Sequence, residues 1–148
     1  MNPDHHDILA EFSAAPVKFL LIGAYAPAAH GRVRATGDID LWVECGKENA
    51  RRIIVALSRF GAPMDKVEES DFYQPEIVFQ MGLPPRRIDI ITKIDGVDSA
   101  EAWESRVATQ IDDLSVFTLS HEHLLQNKEA AGLPKDLADA DWLRQNSG

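Results

Sequence analysis

Cysteine is almost missing from this chain, with Cys45 alone among 148 residues. One thiol forms no intramolecular disulfide and builds no thiolate zinc site within a single chain. Long hydrophobic runs are lacking as well, none approaching the ~18 residues of a membrane span, and no cationic stretch leading into an apolar core stands near residue 1. The expectation is a soluble, cytoplasmic protein with no membrane partner. Basic charge is scarce: 15 Lys and Arg against 24 Asp and Glu leave a formal charge of −9. That balance opposes unaided adhesion to nucleic acid, so a polynucleotide partner would need a local basic patch or bridging metal ions. Repeats, low-complexity segments and linkers are absent too. What remains is ordinary globular composition, 45% hydrophobic and 26% charged, on a length suited to one domain over residues 1–148.

Asn2-Pro3 reads as a helix cap with proline at the first helical position, followed by Ile8, Leu9 and Phe12 at helical spacing. Val17 to Ile22 is an apolar run interrupted only by Lys18, which suits a buried strand ended by Gly23, and Ala24 to His30 suits a short helix. Asp38 to Glu44 alternates, with Asp38, Asp40 and Trp42 on one face and Ile39, Leu41 and Val43 on the other. The pattern from Lys47 to Phe60 is helical, Ile53, Ile54, Leu57 and Phe60 facing a core and Gly61 stopping it. Glu76 to Met81 and Arg87 to Thr92 predict two strands that can pair as a hairpin. Beyond them the pattern predicts a helix over Ser99 to Val107 and a short strand over Val116 to Leu119. A helix capped by Ser120 then runs through Ala131, and a last one from Lys135 to about Gln145.

The chemistry concentrates in aspartates. Two residues apart on a strand, Asp38 and Asp40 point to the same side, and adjacent carboxylates repel unless a cation lies between them. Hard oxygen donors favour Mg2+ or Mn2+, the former commonly held by one or two carboxylates together with substrate phosphates. Asp89, between Ile88 and Ile90, supplies a third carboxylate from another strand. Three such groups suit a pair of cations that stabilise the attacking and departing oxygens of a displacement at phosphorus. An Asp-x-Asp pair by itself more often marks a solvated strand face; the strand, glycine turn and short helix that precede it here, and the aspartate in an apolar strand that follows, reverse that preference.

The run Leu20-Leu21-Ile22-Gly23-Ala24-Tyr25-Ala26, then His30-Gly31, Arg34, Thr36 and Asp38-Ile39-Asp40-Leu41, resembles the minimal nucleotidyltransferases of the polymerase-beta-type superfamily. Among these it is most similar to the nucleotidyltransferase toxins of abortive-infection systems. The likeness continues through Arg87-Ile88-Asp89-Ile90 to Lys128 and Lys135-Asp136-Leu137-Ala138-Asp139, nearly the whole chain. It implies an α+β fold, a mixed sheet flanked by helices with a helical C-terminus. It also implies that Asp38, Asp40 and Asp89 bind metal, Asp89 activating the incoming hydroxyl, and that Gly23, Ala24, Arg34, Thr36 and Lys128 contact a nucleoside triphosphate. Two positions depart from the pattern: Ala24 stands where relatives have Gly or Ser, and Leu133 where many have Arg.

Several residues keep two readings. Gly23 either turns the chain or admits a phosphate to the backbone, Arg34 is either a phosphate clamp or a solvated loop residue, and Lys128 either a phosphate contact or a surface lysine. Arg86 and Arg87 either receive an acidic acceptor or offset the charge of Asp89. Asp136 and Asp139 cap and orient their helix. Trp42 and His30 fit packing roles, and neither His5-His6 nor His121-x-His123 puts two imidazoles on one helical face. The resulting expectation is a metal-dependent transfer of a nucleoside monophosphate to an acceptor hydroxyl, on RNA or a small molecule, with a homodimer or partner chain completing the acceptor surface. The alternative is a nucleotide-binding or partner-binding module without turnover.

Overall fold

The computed structural model describes residues 2–32, 37–75, 78–83 and 86–146. Helix α1 (Pro3–Ala14) begins where Asn2 Oδ1 accepts the Asp4 N–H at 2.8 Å, and it buries Ile8, Leu9 and Phe12. Strand β1 (Phe19–Ile22), the short helix α2 (Tyr25–Ala29) and strand β2 (Ile39–Val43) follow. Helix α3 (Lys47–Phe60) has the expected bounds, buries Ile53 and Leu57, and closes at Gly61, whose N–H donates to the Leu57 and Ser58 carbonyls. Strands β3 (Val78–Met81) and β4 (Ile88–Ile91) form the predicted antiparallel hairpin. The chain ends in α4 (Ser99–Glu104), β5 (Val107–Ile111), β6 (Leu114–Thr118), α5 (His121–Ala131) and α6 (Pro134–Gln145).

The strands make one six-stranded mixed sheet in the order β3-β4-β2-β1-β6-β5. β2 lies antiparallel to β1 and parallel to β4, so the strand carrying Asp40 is flanked on both sides. Alternation sorts the side chains by face. Leu21, Ile39, Leu41, Val43, Ile88 and Ile90 join one core with α1 and α3, while Leu20, Ile22 and Trp42 join another with Ala26, Leu124 and Leu143. Burying side chains of this size contributes roughly 1.5–3 kcal/mol each, so the two layers hold the sheet from both sides. Asp40 and Asp89 are set off from the first layer by alternation and stand on the face of the second.

One stretch departs from the sequence expectation. The helix predicted over Ser99 to Val107 stops at Glu104, and Val107–Ile111 is an edge strand paired antiparallel with β6. Val107, Thr109 and Ile111 are β-branched, and pairing with β6 outweighs the local helical pattern there. The strands join through Asp112-Asp113, where Asp112 adopts φ +51°, a left-handed conformation that Asp tolerates better than most residues. Among the described residues, no helix is long and apolar enough to cross a membrane.

Candidate active site

The parallel register of β2 and β4 sets Asp40 directly opposite Asp89, one step along from the Ile39–Ile88 pair. With an apolar neighbour on each side packed into the first core, both carboxylates are turned to the opposite face. Asp38 lies just before β2 and accepts the backbone N–H of Arg87 through Oδ1 at 2.9 Å, which ties it to the start of β4. The Asp40 and Asp89 carboxyls stand side by side. Burial first, then Asp89 and Asp38 beside it, push the Asp40 carboxyl from its ordinary value of 3.8 up to about 6, against the opposing pull of Arg87. Three acidic side chains from two stretches of the chain therefore converge, and too little positive charge stands among them.

Arg87 supplies what positive charge there is. Its Nε and Nη2 donate to the two oxygens of Asp89 at 2.8 and 3.2 Å, and Nη2 lies 3.6 Å from Asp38 Oδ2. Of the two sequence readings of this residue, the arrangement matches the offset of the Asp89 charge. Among the described residues, no three His, Cys, Asp or Glu side chains stand in a ready-made cage for a metal ion.

Gly23 has a local reason to be glycine. Its φ is +72°, and a Cβ built there would meet Asp40 Oδ2 at 2.2 Å and Asp40 Cγ at 3.2 Å. Ile22, its neighbour, is the register partner of Asp40 across β1 and β2. The turn thus leaves room for the carboxylate, at a residue that also lines the cavity.

That cavity is about 560 Å³. Gly23, Ala24, Asp38, Asp40, Arg87 and Asp89 line one part of it, and Lys128, Lys135 and Asp136 of α5 and α6 another. Lys128 is no surface lysine: it is 6% exposed, with Nζ 3.5 Å from Asp136 Oδ1 and 3.2 Å from Asp139 Oδ2. Asp139 is fully buried and also accepts Arg32 Nε at 2.8 Å, linking the segment after α2 to α5 and α6. Asp136 additionally accepts the Leu133 N–H at 3.3 Å, so it caps α6 as expected while facing the cavity. The loop after β4 brings Lys93 and Asp95 to the same cavity. It is strapped to α5 by Asn127 Nδ2 donating to the Asp95 carbonyl at 2.9 Å.

The structure thus gathers Gly23, Ala24, Asp38, Asp40, Asp89 and Lys128 around one space. Arg34 and Thr36, expected to contact nucleotide, lie outside the described residues. His30 has a packing role, hydrogen-bonded to the Leu119 carbonyl at 2.8 Å, and Trp42 is 4% exposed in the second core. A smaller cavity of about 220 Å³, lined by Trp42, Trp103, Lys18 and Glu44, lies at the other end of β2, away from the aspartates. Sequence reasoning missed Lys93, Asn127 and Lys135 as lining residues. The basic side chains after β4 and around Pro134 were the available signal, in a chain otherwise poor in cations.

Neither a family model nor a curated protein matches the chain. Among solved structures it is similar to the lincomycin-bound lincosamide antibiotic adenylyltransferase LnuA, with a TM-score of 0.57 and 15% identity over 99% of this chain and 98% of that one. The fold is therefore α+β, a mixed sheet with flanking helices that matches a nucleotidyltransferase-fold protein along nearly its whole length.

Proposed function

We propose that the protein is a metal-dependent nucleotidyltransferase, which moves a nucleoside monophosphate from a nucleoside triphosphate to an acceptor hydroxyl and releases pyrophosphate. The observation that carries this reading is the convergence of Asp38, Asp40 and Asp89 on one cavity, Asp40 paired in register with Asp89 and its carboxyl pushed up by burial and by the other two. An all-oxygen donor set with surplus negative charge fits Mg2+ or Mn2+. Asp38, Asp40 and Asp89 would hold the ion, which when bound polarises phosphate oxygens and offsets charge in the transition state.

The chain's own side chains supply the rest. Lys128, held by Asp136 and Asp139, presents its ammonium to triphosphate oxygens, with Lys93 and Lys135 adding positive charge along the same cavity. Gly23 and Ala24 keep backbone close to the phosphates. The acceptor oxygen attacks the α-phosphorus, the bond from that phosphorus to the pyrophosphate oxygen breaks, and the hydroxyl proton passes to the Asp89 carboxylate. Most of the acceleration comes from positioning and preset electrostatics.

The acceptor is a hydroxyl-bearing small molecule or an RNA end. Likeness to an antibiotic adenylyltransferase bound to lincomycin supports the first, and the sequence resemblance to abortive-infection toxins the second. Incubating the protein with labelled nucleoside triphosphates, Mg2+ and a cell extract, then identifying the labelled species, tests the proposal and separates these acceptors. The double variant Asp38→Ala, Asp40→Ala should fold and transfer no label. Retained transfer in that variant overturns the assignment, and triphosphate binding without any labelled product supports a module without turnover.

A further inference from the structure

The Arg87 guanidinium takes up the place where the three carboxylates most need a cation. It grips both oxygens of Asp89 and reaches Asp38 Oδ2 at 3.6 Å. A fork of this kind is among the stronger charge-assisted arrangements, and Arg stays charged at any ordinary pH. A divalent ion approaching Asp38 and Asp89 together would meet both the repulsion of this charge and the hydrogens aimed at the oxygens it must bind. The side chain is 31% exposed, so it can swing away without unpacking a core. It lines the same cavity as Lys128 and Lys135, where a bound triphosphate would give the released guanidinium new oxygens.

We propose that Arg87 is an internal counter-ion that competes with the divalent metal, so that the site takes a bare ion weakly and an ion accompanied by a triphosphate strongly. This deepens, and rests on, the reading of the site as a metal-nucleotide centre. The guanidinium keeps the carboxylates compensated in the resting protein. Nucleotide and metal together displace it, because only their joint arrival gives the carboxylates a replacement cation and the guanidinium a replacement anion. Metal loading is thereby coupled to substrate loading through one side chain.

The test is calorimetric titration of the metal-free full chain with MnCl2, alone and with each of the four nonhydrolysable ribonucleoside triphosphate analogues. Wild type is compared with Arg87→Gln, Arg87→Lys and Arg86→Gln. Arg87→Gln should bind Mn2+ alone at least about tenfold more tightly than wild type, the scale of one lost charge-assisted bond. It should also melt at a lower temperature without metal, and gain less Mn2+ affinity from the analogue than wild type does. Arg86 is exposed and adds the same charge nearby, so Arg86→Gln should behave as wild type. Arg87→Lys keeps the charge without the fork and should fall between wild type and Arg87→Gln; it decides the matter if Arg87→Gln does not fold. Equal Mn2+ affinity in wild type and the Arg87 variants overturns the proposal, as does an equal gain in Arg86→Gln, which would mean a plain charge effect. If no protein binds Mn2+ with or without any analogue, the functional reading itself falls, and the counter-ion proposal with it.

Discussion

Gly23 and Asp40 show how closely single residues are matched here. Gly23→Ala places a methyl where Asp40 Oδ2 now lies and forces a side chain into a φ of +72°. The backbone term alone costs about 1–2 kcal/mol, and displacing the carboxylate adds to it. Urea unfolding should show that loss, and transfer should fall further than stability does. Asp40 makes a second prediction. Its folded carboxyl titrates near 6 rather than 3.8, so the protonated form is the one that folding favours. That contribution is complete below the unfolded value and is lost as pH rises through the folded one. The metal-free protein should therefore lose more melting temperature than Asp40→Asn does between about pH 4 and about pH 7. Added Mg2+ should restore much of the wild-type loss at the upper end. Equal pH profiles for the two proteins would remove this account of Asp40. The three aspartates were legible in the sequence because alternation on a strand is local. The grip of Arg87 on Asp89 and Asp38 was legible only as one of two options, since it depends on a guanidinium direction that spacing does not encode.

The elements divide the same way. Helix α3 has the bounds its apolar spacing and Gly61 predict, because an amphipathic face is written within its fourteen residues and the stopping glycine directly follows them. The edge strand β5 was invisible to the same procedure: it is short, largely exposed, and gains its conformation from β6. Helices α5 and α6 illustrate an intermediate case. Their limits follow from Ser120, Gly132 and Pro134, yet the clamp between them, Lys128 to Asp136 and Asp139, needs the two helices packed together. Asp139→Ala leaves the largely buried Lys128 ammonium short of a partner and strips Arg32 of its carboxylate. Such a change in a buried ion pair costs about 3–5 kcal/mol. Denaturant unfolding should register it, whereas Asp141→Ala, on the exposed side of α6, should cost under about 1 kcal/mol.

At the scale of the whole molecule, the parallel pairing of β2 with β4 is the decisive contact, since it alone makes Asp40 and Asp89 neighbours. Sequence patterns anticipated both strands and the face of each aspartate, but register between segments this far apart is settled by how the two core layers fill. Charge is distributed to the same end. A chain of net −9 nevertheless brings Arg87, Lys93, Lys128 and Lys135 to the cavity of its aspartates, Arg87 directly among them. On the proposed reading, such a space offers a triphosphate the side-chain cations and, through a divalent ion, the carboxylates as well. The most direct measurement is a crystal structure with Mn2+ and a nonhydrolysable nucleoside triphosphate, using anomalous scattering to locate the metal. The account predicts a manganese peak among the carboxylates of Asp38, Asp40 and Asp89, with Arg87 turned off Asp89. Nucleotide bound in that cavity with no manganese among the three aspartates would contradict it.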